Sequence, residues 1–352
     1  MHETDVAPMT TTTPIRIAVF GAGFMGSTHA RAYARLPGVE IAAIYARSGE
    51  RAQPLAHEVG STFTTSVEDI LADESITAVD ICLPTPEHRS SLEAALSAGK
   101  HVLLEKPLAL TEDDARAMVD AAAASDQIVM IAHVLRFWPE YVELKRIIDS
   151  GEFGRPLAAY ATRRQPFPAW SKQFGQSDLT GGAIIDMLVH DYDALNWVLG
   201  APRTVTAHAH RNRRSAGLDQ AQVLIGYDGA QAVSDGGMMM PESYPFTSAL
   251  EVLCENGAIE YHFRAGGRSF EIGEPTNALT VYRAEGDPET LTVEQSDPYE
   301  NEVAYFIDCV RSGARADRAT PEDALSALRV ALAARDSAER GTTIDLDEHE
   351  GQ

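Results

Sequence analysis

The run Gly21-Ala22-Gly23-Phe24-Met25-Gly26, directly after the apolar hexamer Ile15-Arg16-Ile17-Ala18-Val19-Phe20, constrains this chain more than any other feature. A buried strand that enters a glycine turn and leaves as a helix needs Gly21 for the turn itself. Gly23 lets a ligand approach the backbone, and Gly26 lets helix and strand pack closely. The helix opening at Phe24 and Met25 aims free N–H groups and its positive end at the turn, which suits a diphosphate. Alone such a run is a weak signal. Between a strand and a helix near the N-terminus it predicts dinucleotide binding. The alternative is a glycine turn in a sheet domain that holds no ligand.

The pattern that follows supports the first reading. Strands expected at 15–20, 40–45, 78–83, 101–104 and 128–132 alternate with helices at 25–35, 52–59, 92–98 and 111–124. Ser66-Val67-Glu68-Asp69 resembles a capping box, and Gly99 stands where a helix ends. Buried strands separated by helices and short connections describe a doubly wound parallel sheet. After a helix over 139–150 the pattern turns to alternating strands at 157–164, 204–211, 220–227, 231–238, 249–254 and 258–263, with Asn256-Gly257 as a hairpin turn. One helix is expected over 182–199, and two more at 302–311 and 322–339, the last behind Thr320-Pro321. The fold class is α/β: an N-terminal Rossmann-type doubly wound parallel sheet plus a C-terminal α+β domain with a large, mostly antiparallel open sheet. The expected partition is a tail at 1–13, a dinucleotide-binding domain at 14–133 and a substrate and oligomerisation domain at 134–318. A C-terminal helix at 319–340 returns near the first domain, and a tail fills 341–352.

Composition narrows the classes. A chain of 352 residues fits two cores better than one. With 29 basic against 52 acidic residues, its formal charge of −23 excludes a general affinity for nucleic acid or anionic membrane. One local phosphate site stays compatible with it. No apolar run is long enough for a bilayer, and the N-terminus lacks a basic segment followed by an apolar one, so no signal peptide is expected. Met9 is an alternative start. Cys82, Cys254 and Cys309 are isolated and odd in number, which predicts reduced thiols and a cytoplasmic protein. No compact Cys/His spacing marks a metal site, and none is expected.

Chemistry is carried by later motifs. Glu105-Lys106-Pro107 follows the expected strand His101–Leu104, and strand carboxyl ends are where ligands sit in such sheets. Lys106 there puts an ammonium near the reactive end of a dinucleotide; the bland alternative is a solvated lysine. Asp186 and His190 are spaced i, i+4 on an otherwise apolar helix face. Such an imidazole can accept a hydroxyl proton while the carboxylate orients it. A buried polar pair or a metal pair would show the same spacing, and Asp193 continues toward the same face. At the end of the second strand, Tyr45-Ala46-Arg47-Ser48 lacks the acid that usually holds a ribose 2′-hydroxyl. Arg47 and Ser48 suit a 2′-phosphate instead, which favours NADP(H), with NAD(H) possible. His133 and Arg136 follow a sheet strand, and Arg163, Arg164 and Trp170 follow a second-domain strand. All are candidates for a substrate pocket, with interdomain packing or salt bridges as the alternative.

On these motifs, together with Leu83-Pro84-Thr85-Pro86-Glu87-His88 and Gly181-Gly182 through Asp193, the chain resembles the Gfo/Idh/MocA oxidoreductases from about Ile15 to its C-terminal helices. That is the family of glucose–fructose oxidoreductase and inositol dehydrogenase. The resemblance implies a Rossmann domain and an α/β domain whose open sheet mediates homodimers or homotetramers. It also implies oxidation of a sugar, inositol or related polyol hydroxyl, or the reverse reduction. It makes Lys106, Asp186 and His190 the catalytic group. The implied cofactor contacts are Gly21, Gly23, Phe24, Met25, Gly26, Arg47, Ser48, Leu83, Pro84, Thr85, His88, Glu105, Lys106 and Pro107. The substrate contacts expected beside Lys106, Asp186 and His190 are His133, Arg136, Arg163 and Trp170. Two other readings stay open: a glycosidase or lyase that retains its dinucleotide and uses transient oxidation, and a non-catalytic dinucleotide-dependent sensor or scaffold.

Overall fold

The computed structural model describes residues 14–169, 175–265 and 276–347. The tail expected at 1–13 and the candidate Trp170 lie outside the described residues. Six strands form the first sheet: β1 (Ile15–Phe20), β2 (Val39–Tyr45), β3 (Thr62–Thr64), β4 (Ala78–Ile81), β5 (His101–Glu105) and β6 (Val129–Ala132). They pair in parallel in the order β3-β2-β1-β4-β5-β6. The order reverses between β1 and β4, which opens the crevice where such sheets take ligands. The intervening helices are α1 (Phe24–Arg35), α2 (Gly49–Glu58), α3 (Val67–Ala72), α4 (His88–Ser97) and α5 (Glu112–Ala123). They cover both faces, so β4 and β6 are buried throughout and need the continuous apolar runs seen in the sequence.

After α6 (Pro139–Ser150) the chain builds a nine-stranded sheet. Its strands are β7 (Pro156–Pro166), β8 (Pro202–Arg211), β9 (Leu218–Tyr227), β10 (Ala230–Met240), β11 (Phe246–Cys254), β12 (Gly257–Ala265), β13 (Thr276–Arg283), β14 (Glu289–Leu291) and β15 (Ile344–Asp345). The order is β14-β13-β12-β11-β7-β10-β9-β8-β15, antiparallel except for β7 against β10. Helices α7 (Ser177–Thr180), α8 (Ala183–Asp186), α9 (Val189–Leu199), α10 (Pro298–Ser312) and α11 (Pro321–Arg340) complete the chain. One sheet face packs inward through Ala159, Val223, Ile225, Leu250, Val252 and Ile259.

Three features differ from the sequence reading. The single helix expected over 182–199 is two, α8 and α9. The Leu188 N–H reaches back five residues to Ala183 O, while both Asp191 and Tyr192 N–H groups converge on Leu188 O. Asp219, buried, accepts from Ala183 N at 3.0 Å and caps α8 from another strand. Second, α10 follows the large sheet in sequence but packs on the first one: Val303, Phe306 and Ile307 are fully buried with Ile17, Val19 and Tyr33. Third, residues 344–346 of the expected C-terminal tail are structured. Ile344 and Asp345 pair with β8, Leu346 is buried, and its N–H donates to Arg203 O at 2.8 Å.

Candidate active site

The glycine turn has the shape a dinucleotide requires. Gly21 has φ +113°, and a Cβ there would lie 2.5 Å from Cys82 O. At Gly26 a Cβ would lie 2.0 Å from Gly21 O, so α1 can approach β1 only without a side chain. Gly23 is the opposite case: it is exposed, and nothing lies within 4 Å of its Cβ position. As N-cap it supplies no side-chain bond, and the first turn of α1 carries no acid. The helix therefore presents its leading N–H groups to open space beside Gly23, a cradle that fits an anionic diphosphate. Phe24 is exposed at the same end and Met25 half-buried. Across the crevice Arg47 is 75% exposed, its Nη1 3.8 Å from Glu87 Oε1. Ser48 caps α2 by position, with no side-chain bond to it.

Two expected cofactor contacts point elsewhere. His88 is buried, with Nδ1 3.0 Å from Pro107 O and Nε2 3.0 Å from Leu83 O. Its ring ties the loop after β4 (Leu83, Pro84 and Thr85, all half-buried) to the loop after β5, rather than facing the crevice. Burial pushes its pKa down, so the ring is neutral and donates to one carbonyl at a time. Glu105 also turns inward. Its Oε2 accepts from Lys106 N at 3.0 Å, and its Oε1 lies 3.5 Å from His29 Nε2. The following Lys106–Pro107 peptide is cis.

The loop after β5 and the end of α8 meet across 80 residues of sequence. Lys106 Nζ donates to Asp186 O at 2.8 Å and lies 3.5 Å from Asp186 Oδ1. His190 is half-buried, and its Nδ1 is buried without a hydrogen-bond partner. Burial, then the neighbouring charges of Lys106, Arg163 and His133, hold its pKa well below 6.5. The Asp186 carboxylate, expected to orient His190, lies against Lys106, with Oδ1 3.5 Å from Nζ. His133 belongs to the same pocket, buried with both ring nitrogens unpartnered.

The two arginines expected to contact substrate are held by carboxylates. Arg136 is buried: Nε and Nη2 donate to Asp193 at 2.9 and 2.8 Å, and Nη1 donates to Asp323 of α11 at 2.9 Å. It joins the segment after β6 to α9 and α11, and Asp193 serves that clamp. Arg163 is buried, with Nε donating to Asp191 Oδ1 at 3.0 Å. Arg164 is bonded to Asp235. Sequence reasoning missed the buried set of His29, Asp80 and Glu302. Its signal was an aspartate inside the apolar strand Ala78-Val79-Asp80-Ile81 and a histidine on the packed face of α1. A separate surface cavity of about 590 Å³, lined by Phe137, Asn301 and Tyr305 among others, shares no residue with the Lys106 cluster.

Comparison with known proteins agrees with this architecture. Residues 15–133 match the family model described as oxidoreductase family, NAD-binding Rossmann fold, and residues 141–260 match the GFO/IDH/MocA C-terminal domain. The chain is 31% identical over 322 residues to 1,5-anhydro-D-fructose reductase of Ensifer adhaerens, covering 89% of this chain and 93% of the relative. It is 30% identical over 351 residues to scyllo-inositol 2-dehydrogenase (NAD(+)) of Bacillus subtilis strain 168, covering 95% and 96%. Among solved structures, myo-inositol 2-dehydrogenase from Lactobacillus plantarum superposes with a TM-score of 0.79 at 25% identity over 94% of this chain and 99% of that one. The chain therefore belongs to the GFO/IDH/MocA oxidoreductases, enzymes built on a nicotinamide-binding Rossmann domain.

Proposed function

We propose that this protein interconverts a hydroxyl and a carbonyl on a sugar, inositol or related polyol, with NADP(H) favoured over NAD(H). The observation that carries the reading is the convergence of Lys106 with Asp186, beside His190, at the carboxyl edge of the parallel sheet. A nicotinamide bound in the β1/β4 crevice supplies the hydride acceptor, or the donor in reverse. His190, kept neutral by its pocket, accepts the hydroxyl proton in the oxidative direction. Lys106 directs its ammonium at the substrate oxygen and stabilises the charge that develops there. Asp186 holds Lys106 by its main-chain carbonyl and by its carboxylate. His133, whose ring nitrogens make no hydrogen bond and whose Nδ1 lies 3.7 Å from Asp193 Oδ2, is the added polar contact for a polyol. Arg47, largely exposed just past β2 where no acid stands and with Glu87 Oε1 3.8 Å from its Nη1, supports the preference for a 2′-phosphate.

The open face of the nine-stranded sheet supports a homodimer or homotetramer, with Tyr160, Leu224, Leu253 and Tyr282 exposed on it. The free thiols of Cys82, Cys254 and Cys309 support a reducing, cytoplasmic setting. No helix among the described residues is long and apolar enough to cross a membrane.

The test is absorbance at 340 nm with NADP⁺ and NAD⁺ against a panel of polyols, aldoses and inositols, and with NADPH and NADH against keto-sugars. Stoichiometric turnover is expected with one class, faster with the phosphorylated cofactor. Lys106→Ala is expected to lower kcat by at least 100-fold, on the order of what a lost electrostatic or proton-transfer group costs, while NADPH still binds. Turnover of that variant at the normal rate would remove the assignment of Lys106. Tight cofactor binding without net redox turnover would move the reading to the retained-cofactor lyase or the sensor.

A further inference from the structure

Behind the loop that carries Lys106 lies a sealed set of ionisable groups from four elements: His29 of α1, Asp80 of β4, Glu105 of β5 and Glu302 of α10. His29, Asp80 and Glu302 are each 0% exposed. His29 Nδ1 lies 2.9 Å from Asp80 Oδ2, and Nε2 lies 3.5 Å from Glu105 Oε1 and 3.7 Å from Glu302 Oε2. The Cys82 thiol donates to Asp80 Oδ1 at 3.2 Å. Three buried carboxyl groups need a cation among them. Burial pulls the His29 pKa down, but Asp80, Glu105 and Glu302 outweigh it and raise it to about 10. Burial pushes the Glu302 pKa well up, and the charge of His29 opposes that shift. His29, Cys82 and Glu105 are also metal-ligating types within reach of one another. The imidazole, however, has carboxylates against both nitrogens, and the imidazolium is itself the cation of the site.

This protonation sets the task of Glu105. Glu105 Oε1 lies in charge contact with His29 Nε2 at 3.5 Å, short of a formed hydrogen bond, while Oε2 accepts from the Lys106 N–H at 3.0 Å. Burial pushes the Glu105 pKa up, and the charges of His29 and Lys106 oppose that shift, so the side chain answers both neighbours at once: one oxygen accepts from the amide and the other faces the imidazolium. We propose that His29 and Glu105 are positioning residues for Lys106: the hydrogen bond from the Lys106 N–H to Glu105 Oε2 and the charge contact between Glu105 Oε1 and His29 Nε2 fix the main chain from which the lysine reaches Asp186. His29 stands three residues after Gly26 on the helix that opens at the glycine turn. The pair therefore braces the catalytic loop against the same element that cradles the diphosphate. The proposal rests on the role given to Lys106 above.

Glu105→Gln tests it, because the amide keeps the side chain's size yet offers one oxygen where the carboxylate offers two. The probe is acetylation of the purified protein by N-hydroxysuccinimide acetate, followed at each lysine by peptide mass spectrometry. This needs no turnover and so stands apart from the success of the functional reading. Lys106 is expected to react several-fold faster in Glu105→Gln, and also in His29→Gln, with Lys145 unchanged as the internal reference. Where a substrate turns over, kcat is expected to fall by about 10- to 100-fold, as for a misplaced catalytic group, with the NADPH Kd within about twofold. Equal Lys106 labelling in both proteins, or a rise shared by Lys145, overturns the proposal. If His29→Gln does not accumulate folded, Glu105→Gln alone decides, since it leaves the His29–Asp80 pair in place. Loss of turnover in Lys106→Ala with normal labelling in Glu105→Gln overturns this inference and leaves the proposed function standing. Normal turnover in Lys106→Ala removes the functional reading instead.

Discussion

His190 carries the clearest pH signature at the scale of single residues. Its ring is partly enclosed, and the first cause of its lowered pKa is that enclosure, with the charges of Lys106, Arg163 and His133 next. A base with a depressed pKa stays neutral at pH 7 and gains its proton only well below 6.5. Oxidation needs the neutral form, so kcat/KM in that direction is expected to hold its plateau through pH 6.5 and fall only at more acid pH. A pH–rate profile on the best substrate checks this, and an acid limb centred at or above 6.5 would contradict it. The neighbouring arginines show why residue roles are harder to read than residue types. Arg136 follows a sheet strand as a substrate contact would, but its partners Asp193 and Asp323 stand 57 and 187 residues away. Arg163 is matched by Asp191, 28 residues on. Nothing local in the sequence distinguishes an arginine aimed at ligand from one neutralised inside the fold. The place of Lys106 at the end of β5 was legible because strand, lysine and proline are contiguous.

At the scale of elements, the glycine turn separates two jobs that one motif combines. Gly26 is a packing residue: a methyl group there meets Gly21 O at 2.0 Å and Cys82 Cβ at 3.4 Å. Gly26→Ala is expected to destabilise the protein by about 1–3 kcal/mol, as overpacking does, and to weaken cofactor binding with it. Gly23 is a ligand residue with open space around its Cβ position. Gly23→Ala is expected to melt like the parent chain and still lose NADPH affinity, because the new methyl group enters the diphosphate cradle. Thermal melts paired with NADPH fluorescence titrations read both effects, and equal melting shifts for the two variants would contradict the division. Elements with a clear period, from β1 to α11, were visible in the apolar pattern. The short strands β3, β14 and β15 were not, since two or three residues carry no period, and β13 was also missed: only its middle, Ala278 to Val281, shows the alternation. The break between α8 and α9 was hidden for another reason. Apolar residues continue through Ile184, Ile185, Leu188 and Val189, so the pattern has no gap where Leu188 N reaches back to Ala183 O and the helix restarts. Asp186, at the end of α8, lies against Lys106 from 80 residues earlier, a pairing that local periodicity cannot express.

At the scale of the whole molecule, the nine-stranded sheet has helices on one face only. The register aligns Leu224, Val233, Tyr160 and Glu251 across four neighbouring strands on the other, and Tyr160 and Leu224 are 49% and 47% exposed. A second copy of the chain is the partner that fits an open sheet of this breadth, since a stable interface needs about 800 Å² from each side. Static light scattering on a sizing column is expected to return a multiple of the chain mass. The double variant Tyr160→Glu, Leu224→Glu is expected to return the single-chain mass with an unchanged circular dichroism spectrum, because both side chains already face solvent. The salt dependence is the sharper reading. Each subunit carries a formal charge of −23, and Glu251 and Glu260 lie within the face itself, paired across β11 and β12. Like charges oppose association, whereas the apolar contact is insensitive to screening. Raising the ionic strength from low to physiological values is therefore expected to strengthen the oligomer. Dissociation over that range would mean that ion pairs between unlike charges hold it, and the interface would then have to lie on a different surface from this one.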